Sequence, residues 1–95
     1  MKMTHDNRGK KTWQLDAKVD EHEKRTRAKV RLSWRGTKLV GVGLARLDPA
    51  DEPVAAIGDE LALARALSDL AHQLFELTVT DVEASTHKPA TKLHL

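Results

Sequence analysis

Apolar and polar residues alternate one for one along two early stretches of the chain. Trp13, Leu15, Ala17 and Val19 interleave with Gln14, Asp16, Lys18 and Asp20, and Ala28, Val30, Leu32 and Trp34 interleave with Arg27, Lys29, Arg31 and Ser33. A period of two sends successive side chains to opposite faces of a pleated strand, so both stretches predict half-buried strands. The polar run DEHEK (20–24) connects them, and Arg35-Gly36-Thr37-Lys38 forms a turn into a third apolar run, Leu39 to Leu44. Connections this short pair successive strands antiparallel, as a meander.

The third strand departs from simple alternation because neither face carries polar side chains. Val40, Val42 and Leu44 share one face; Leu39, Gly41, Gly43 and Ala45 share the other. Glycine inside a strand costs stability and commonly marks a close approach by another part of the backbone. A helix is therefore expected across the Gly41, Gly43 and Ala45 face at short distance. The branched side chains opposite are then either covered by a second subunit or left as an exposed apolar strip.

Pro49 and Pro53 end the sheet pattern, and Asp48-Pro49 favours a turn. Gly58-Asp59 is expected to open a long helix, with either residue as N-cap and Glu60 adding favourable charge in the first turn. Leu63, Leu67, Leu70, Leu74 and Leu77 form a stripe at 4-3-4-3 spacing, widened by Ala64, Ala71 and Phe75. The helix is expected to fray or stop over the β-branched stretch Thr78 to Asp81, and Pro89 bars any long continuation. For 82–95 a short edge strand, a docked tail and disorder all fit the pattern. The fold class is thus α+β: a three-stranded antiparallel meander followed by one long helix packed on the sheet. Residues 1–10 read as a flexible tail, 11–88 as a single domain and 89–95 as a C-terminal tail.

Length supports one domain, since 95 residues leave no room for two cores. A domain this small has a thin stability margin, and the surplus of apolar surface on strand three and the leucine stripe predicts a homodimer. The expected packing and dimer residues are Val40, Val42, Leu44, Leu63, Leu67, Leu70 and Leu74. There is no cysteine, which excludes disulfides and thiolate chemistry. The polar N-terminus lacks a secretory pattern and no run is long enough to span a membrane, so a cytoplasmic protein is expected.

Charge is divided unevenly. Through Leu47 there are 13 Lys and Arg against 5 Asp and Glu, a balance of +8; from Asp48 onward there are 3 against 9, a balance of −6. Arg25, Arg27, Lys29 and Arg31 fall two apart, so a strand presents them as a row on one face, with Arg35 near its end. Such a row can track phosphates, where affinity comes from counterion release. It can equally be the solvated face of an antiparallel sheet, paired to Asp16 and Asp20 on the neighbouring strand. With three aromatics in all, Trp13, Trp34 and Phe75, a stacking platform for single-stranded bases is disfavoured, and structured RNA fits better.

Catalytic and metal patterns are weak. The histidines at 5, 22, 72, 87 and 94 form neither HxxxH nor HxH, and no GxSxG or phosphate loop occurs; GVG at 41–43 lacks the third glycine of a dinucleotide fingerprint. Asp48, Asp51, Glu52, Asp59 and Glu60 read as turn and capping residues. No enzyme, metal or cofactor is expected.

The run GVGLARLDPADEPVAAIGDELALARALSDLAHQLFELTVTDVEAST, together with RTRAKVRLSW and the strand before it, covers about residues 12–88. It resembles a small uncharacterised actinobacterial family typified by mycobacterial proteins, some of them associated with hypoxia and dormancy. The resemblance implies a compact α+β dimer similar in shape to ribosome hibernation factors, which bind RNA of the small ribosomal subunit. Those factors have a larger sheet and two helices, a pattern this chain approaches only as a pair. The resulting expectation is a stress-associated protein that binds the ribosome or other structured RNA through Arg25, Arg27, Lys29, Arg31 and Arg35. The alternative is a protein-interaction module without a nucleic-acid role.

Overall fold

A computed structural model describes residues 9–46 and 55–91. Three strands, β1 (Gln14–His22), β2 (Arg25–Trp34) and β3 (Thr37–Arg46), form an antiparallel sheet in the order β1-β2-β3, followed by one helix, α1 (Ala55–Thr86). The α+β meander with a single packed helix is therefore the observed architecture. Residues 1–8 of the expected N-terminal tail, residues 92–95 of the expected C-terminal tail, the expected turn at Asp48-Pro49, and the carboxylates Asp48, Asp51 and Glu52 lie outside the described residues.

Both hairpins are tighter than the sequence suggests. Asp20, Glu21 and His22 belong to β1, leaving Glu23-Lys24 as the turn, and Thr37 and Lys38 already belong to β3. Arg35 and Gly36 both take positive φ, 45° and 78°. Two such residues match the right-handed twist of the flanking strands, which is why Gly36 stands there.

The helix lies on the glycine face of β3. A side chain on Gly41 would meet Leu70 N at 2.7 Å and overlap the Ala66 carbonyl; on Gly43 it would meet the Arg65 carbonyl carbon at 2.8 Å and overlap the Ala62 carbonyl. The bare positions thus admit backbone against backbone. Ala62, Ala66 and Leu70, spaced by four, form the track that seats on them, and with Ala28, Val30, Leu32 and Ala45 they make up the buried core. Trp34, Leu39, Leu63 and Leu74 pack around it.

The leucine stripe is consequently rotated from its expected position. Arg65, Asp69 and Gln73 reach the outer edge of β3. At 100° per residue, Leu63, Leu67 and Leu74 fall on the opposite flank, toward β1. Leu70 is buried, Leu63 and Leu74 are half-buried, and Leu67 remains 43% exposed.

Strand β1 corrects a second expectation. Its alternation predicts a half-buried strand, yet every residue of it is exposed. α1 rests on β3 and β2 and scarcely touches β1. A helix about 10 Å across covers two strands about 4.8 Å apart, so the third is left uncovered.

The helix also begins before and ends after the expected points. It starts at Ala55, with Gly58 inside its first turn, where a side chain would press on Thr26 Oγ1 at 3.0 Å. It continues through Thr78–Asp81 to Thr86. Thr78, Thr80 and Thr86 donate their hydroxyls to the carbonyls of Leu74, Glu76 and Val82, so the β-branched residues are accommodated within the helix. His87, at φ 59°, then ends it, two residues before Pro89.

Candidate nucleic-acid interface

The face of the sheet away from the helix is the candidate site. On β2, Arg25, Arg27, Lys29 and Arg31 stand in one row and are all exposed. A row of this length extends about 20 Å at strand spacing. Arg35 is exposed in the turn beyond it. The structure therefore brings the predicted cations together, four on the central strand and the fifth at its end.

The register adds cations from both neighbours. Lys18 stands opposite Lys29, Arg46 opposite Arg25, and Lys38 opposite Ser33. The outer face then carries seven Lys and Arg against two Asp. Lys18, Lys38 and Arg46 were not singled out from the sequence. Their signal was available, since each falls in the outward phase of its own strand's alternation.

Two acids share this face, with Asp16 opposite Arg31 and Asp20 opposite Arg27. Such cross-strand pairs contribute about 0.2–1 kcal/mol each. Lys18 and Lys29 form the converse, like charges directly opposite, which disfavours the sheet. Asp16, Lys18, Lys29, Arg31 and Val40 line a shallow depression here, with three cations to one carboxylate. Val40, Val42 and Leu44 run along the β3 side of the face, 40%, 40% and 51% exposed.

The edge of β3 is closed by side chains of α1. Asp69 Oδ2 accepts from the Val42 N–H at 2.8 Å, Arg65 Nη1 donates to the Leu44 carbonyl at 2.6 Å, and Gln73 Nε2 donates to the Val40 carbonyl at 2.8 Å. The bond from Val42, then that from Gln73, holds the Asp69 carboxyl below its ordinary range. At the other end of the helix, Glu21 on β1 meets Asp59. Hydrogen bonding to Asp59 and its charge raise the Glu21 carboxyl; the other carboxylate oxygen, Asp59 Oδ1, is buried without a hydrogen-bond partner among the described residues.

Fold and face together define a one-helix, three-strand sandwich that presents a basic sheet. The chain belongs to the Rv2632c-like family, whose model matches residues 11–91. It is 68% identical over 92 residues to the uncharacterized protein Rv2632c of Mycobacterium tuberculosis, covering 97% of this chain and 99% of that protein. It is 57% identical over 82 residues to the uncharacterized protein Mb1767 of Mycobacterium bovis, covering 86% and 87%. The crystal structure of Rv2632c superimposes with a TM-score of 0.77 at 73% identity, covering 83% of this chain and 94% of the other. Among the described residues no helix is long and apolar enough to cross a membrane.

Proposed function

We propose that this protein is a non-enzymatic, cytoplasmic, stress- or dormancy-associated factor that binds structured RNA, on the ribosome or elsewhere, through the outer face of its sheet. One observation carries the reading. Lys18 and Lys29 stand directly opposite each other on adjacent strands and line, with Arg31 and a single carboxylate, Asp16, a shallow depression, at a cost to the sheet that a bound phosphate would remove. The flat row on β2 suits a phosphate backbone, and nothing about it reads bases. The working form is a homodimer, since the exposed apolar side chains of β1, β3 and α1 exceed what the core of small and medium residues occupies among the described residues.

A second reading is favoured by the strip Val40, Val42 and Leu44, because apolar side chains beside cations suit an acidic protein surface better than a phosphate chain. Co-sedimentation with ribosomes separates the two. RNA binding predicts association at low salt that falls steeply as salt rises, and its loss in the Arg27→Glu/Lys29→Glu/Arg31→Glu variant. No association at low salt contradicts the RNA reading, and a partner retained after nuclease treatment supports the protein one.

A further inference from the structure

The two edges of the sheet are treated differently. The β3 edge is occupied by Arg65, Asp69 and Gln73, whereas β1 is exposed along its whole length and carries Leu15 and Val19, 53% and 38% exposed, on the helix side. An open edge with apolar side chains is a template for another strand.

The hydrogen bonds on β3 reveal which backbone groups of β1 point away from β2, where they have no partner among the described residues. Val40, Val42 and Leu44 direct their backbone groups outward to the helix side chains. In an antiparallel ladder both groups of a residue point the same way and neighbours alternate. Gly41 and Gly43 therefore bond to their partners Val30 and Ala28, and the intervening β2 residues Lys29 and Arg31 bond to Lys18 and Asp16. The N–H and C=O groups of Leu15, Ala17 and Val19 are left pointing to the open edge.

We propose that this edge recognises a second copy of itself, with the two β1 strands antiparallel about a two-fold axis at Ala17. This rests on the homodimer reading above and adds its surface and register. Only a few two-fold registers pair free groups with free groups, and their side chains separate them. An axis at Lys18 sets Lys18 against Lys18 and Asp16 against Asp20. An axis at Asp16 sets that carboxylate against itself. An axis at Val19 places Ala17 against Glu21 on the apolar face. With the axis at Ala17, Asp16 meets Lys18 twice on the outer face and Leu15 meets Val19 twice on the inner one. The product is a continuous six-stranded sheet that joins two basic faces into one and flanks the inner seam with Leu67 from each helix.

Because the chain has no cysteine, single substitutions test the register directly. Paired residues of an antiparallel ladder have Cα atoms about 5.5 Å apart, within disulfide reach. Ala17→Cys should cross-link to a covalent dimer under mild oxidation. Leu15→Cys and Val19→Cys should each fail alone, since their copies lie about 13 Å apart, and should cross-link when mixed. Ala17→Pro removes only an N–H that faces away from β2, so it should yield folded monomer in light scattering and circular dichroism. A dimer in which Ala17→Cys does not cross-link overturns the edge assignment and leaves the homodimer reading standing. A monomer at tens of micromolar overturns both.

Discussion

Gly41 and Gly43 are the residues on which the packing turns. Alanine at either should destabilise by about 3 kcal/mol, the upper part of the range for overpacking, because the obstacle is helix backbone and cannot rotate away. Gly36→Ala meets no neighbour and should cost only about 1 kcal/mol, for its positive φ. Denaturant midpoints of the three variants check this ordering. Leu70 is 4% exposed, and Leu70→Asp should remove about 4 kcal/mol or more, read as loss of the cooperative transition. Asp69 gives a pH dependence of defined sign. Its carboxyl is lowered in the fold, so its contribution is present above the unfolded carboxylate pKa and is lost as pH falls through the lower folded value. Acid titration of Asp69→Ala should therefore show a shallower loss of stability than the parent, and an unchanged acid limb contradicts the contact. The glycines were legible in the sequence because a strand with two bare positions has few explanations. The Ala62 and Ala66 track that meets them was not, since the larger leucines beside it dominate any pattern of hydrophobicity.

At the scale of elements, the strands and the helix were readable from period alone, but their coverage was not. β1 and β2 show the same alternation, yet only β2 is buried on its inner face. Alternation reports which side chains share a face and is silent on how far a single helix extends over that face. The same limit applies to the end of α1. Thr78 and Thr80 are poor helix formers by propensity, and their hydroxyl bonds to the preceding turn accompany a helix that continues past them. Glu21 ties β1 to the start of α1 through Asp59, and its carboxyl is raised. That tie is strongest below the unfolded carboxylate pKa and weakens as pH rises through the folded value. Glu21→Gln, which supplies a donor to Asp59 without the second charge, should raise the thermal midpoint at neutral pH.

For the whole molecule, the outer sheet face gathers seven cations while the acidic half of the sequence supplies the helix. The β2 row was legible from its spacing of two, whereas the register was needed to add Lys18, Lys38 and Arg46 and to oppose Lys18 to Lys29. The most direct measurement of the account is the affinity of the protein for a structured RNA across a series of salt concentrations. Bound phosphates predict a linear fall of log affinity with log salt, and Lys29→Ala should make the slope shallower by about one. Affinity that does not change with salt, or a slope unaltered by Lys29→Ala, contradicts it.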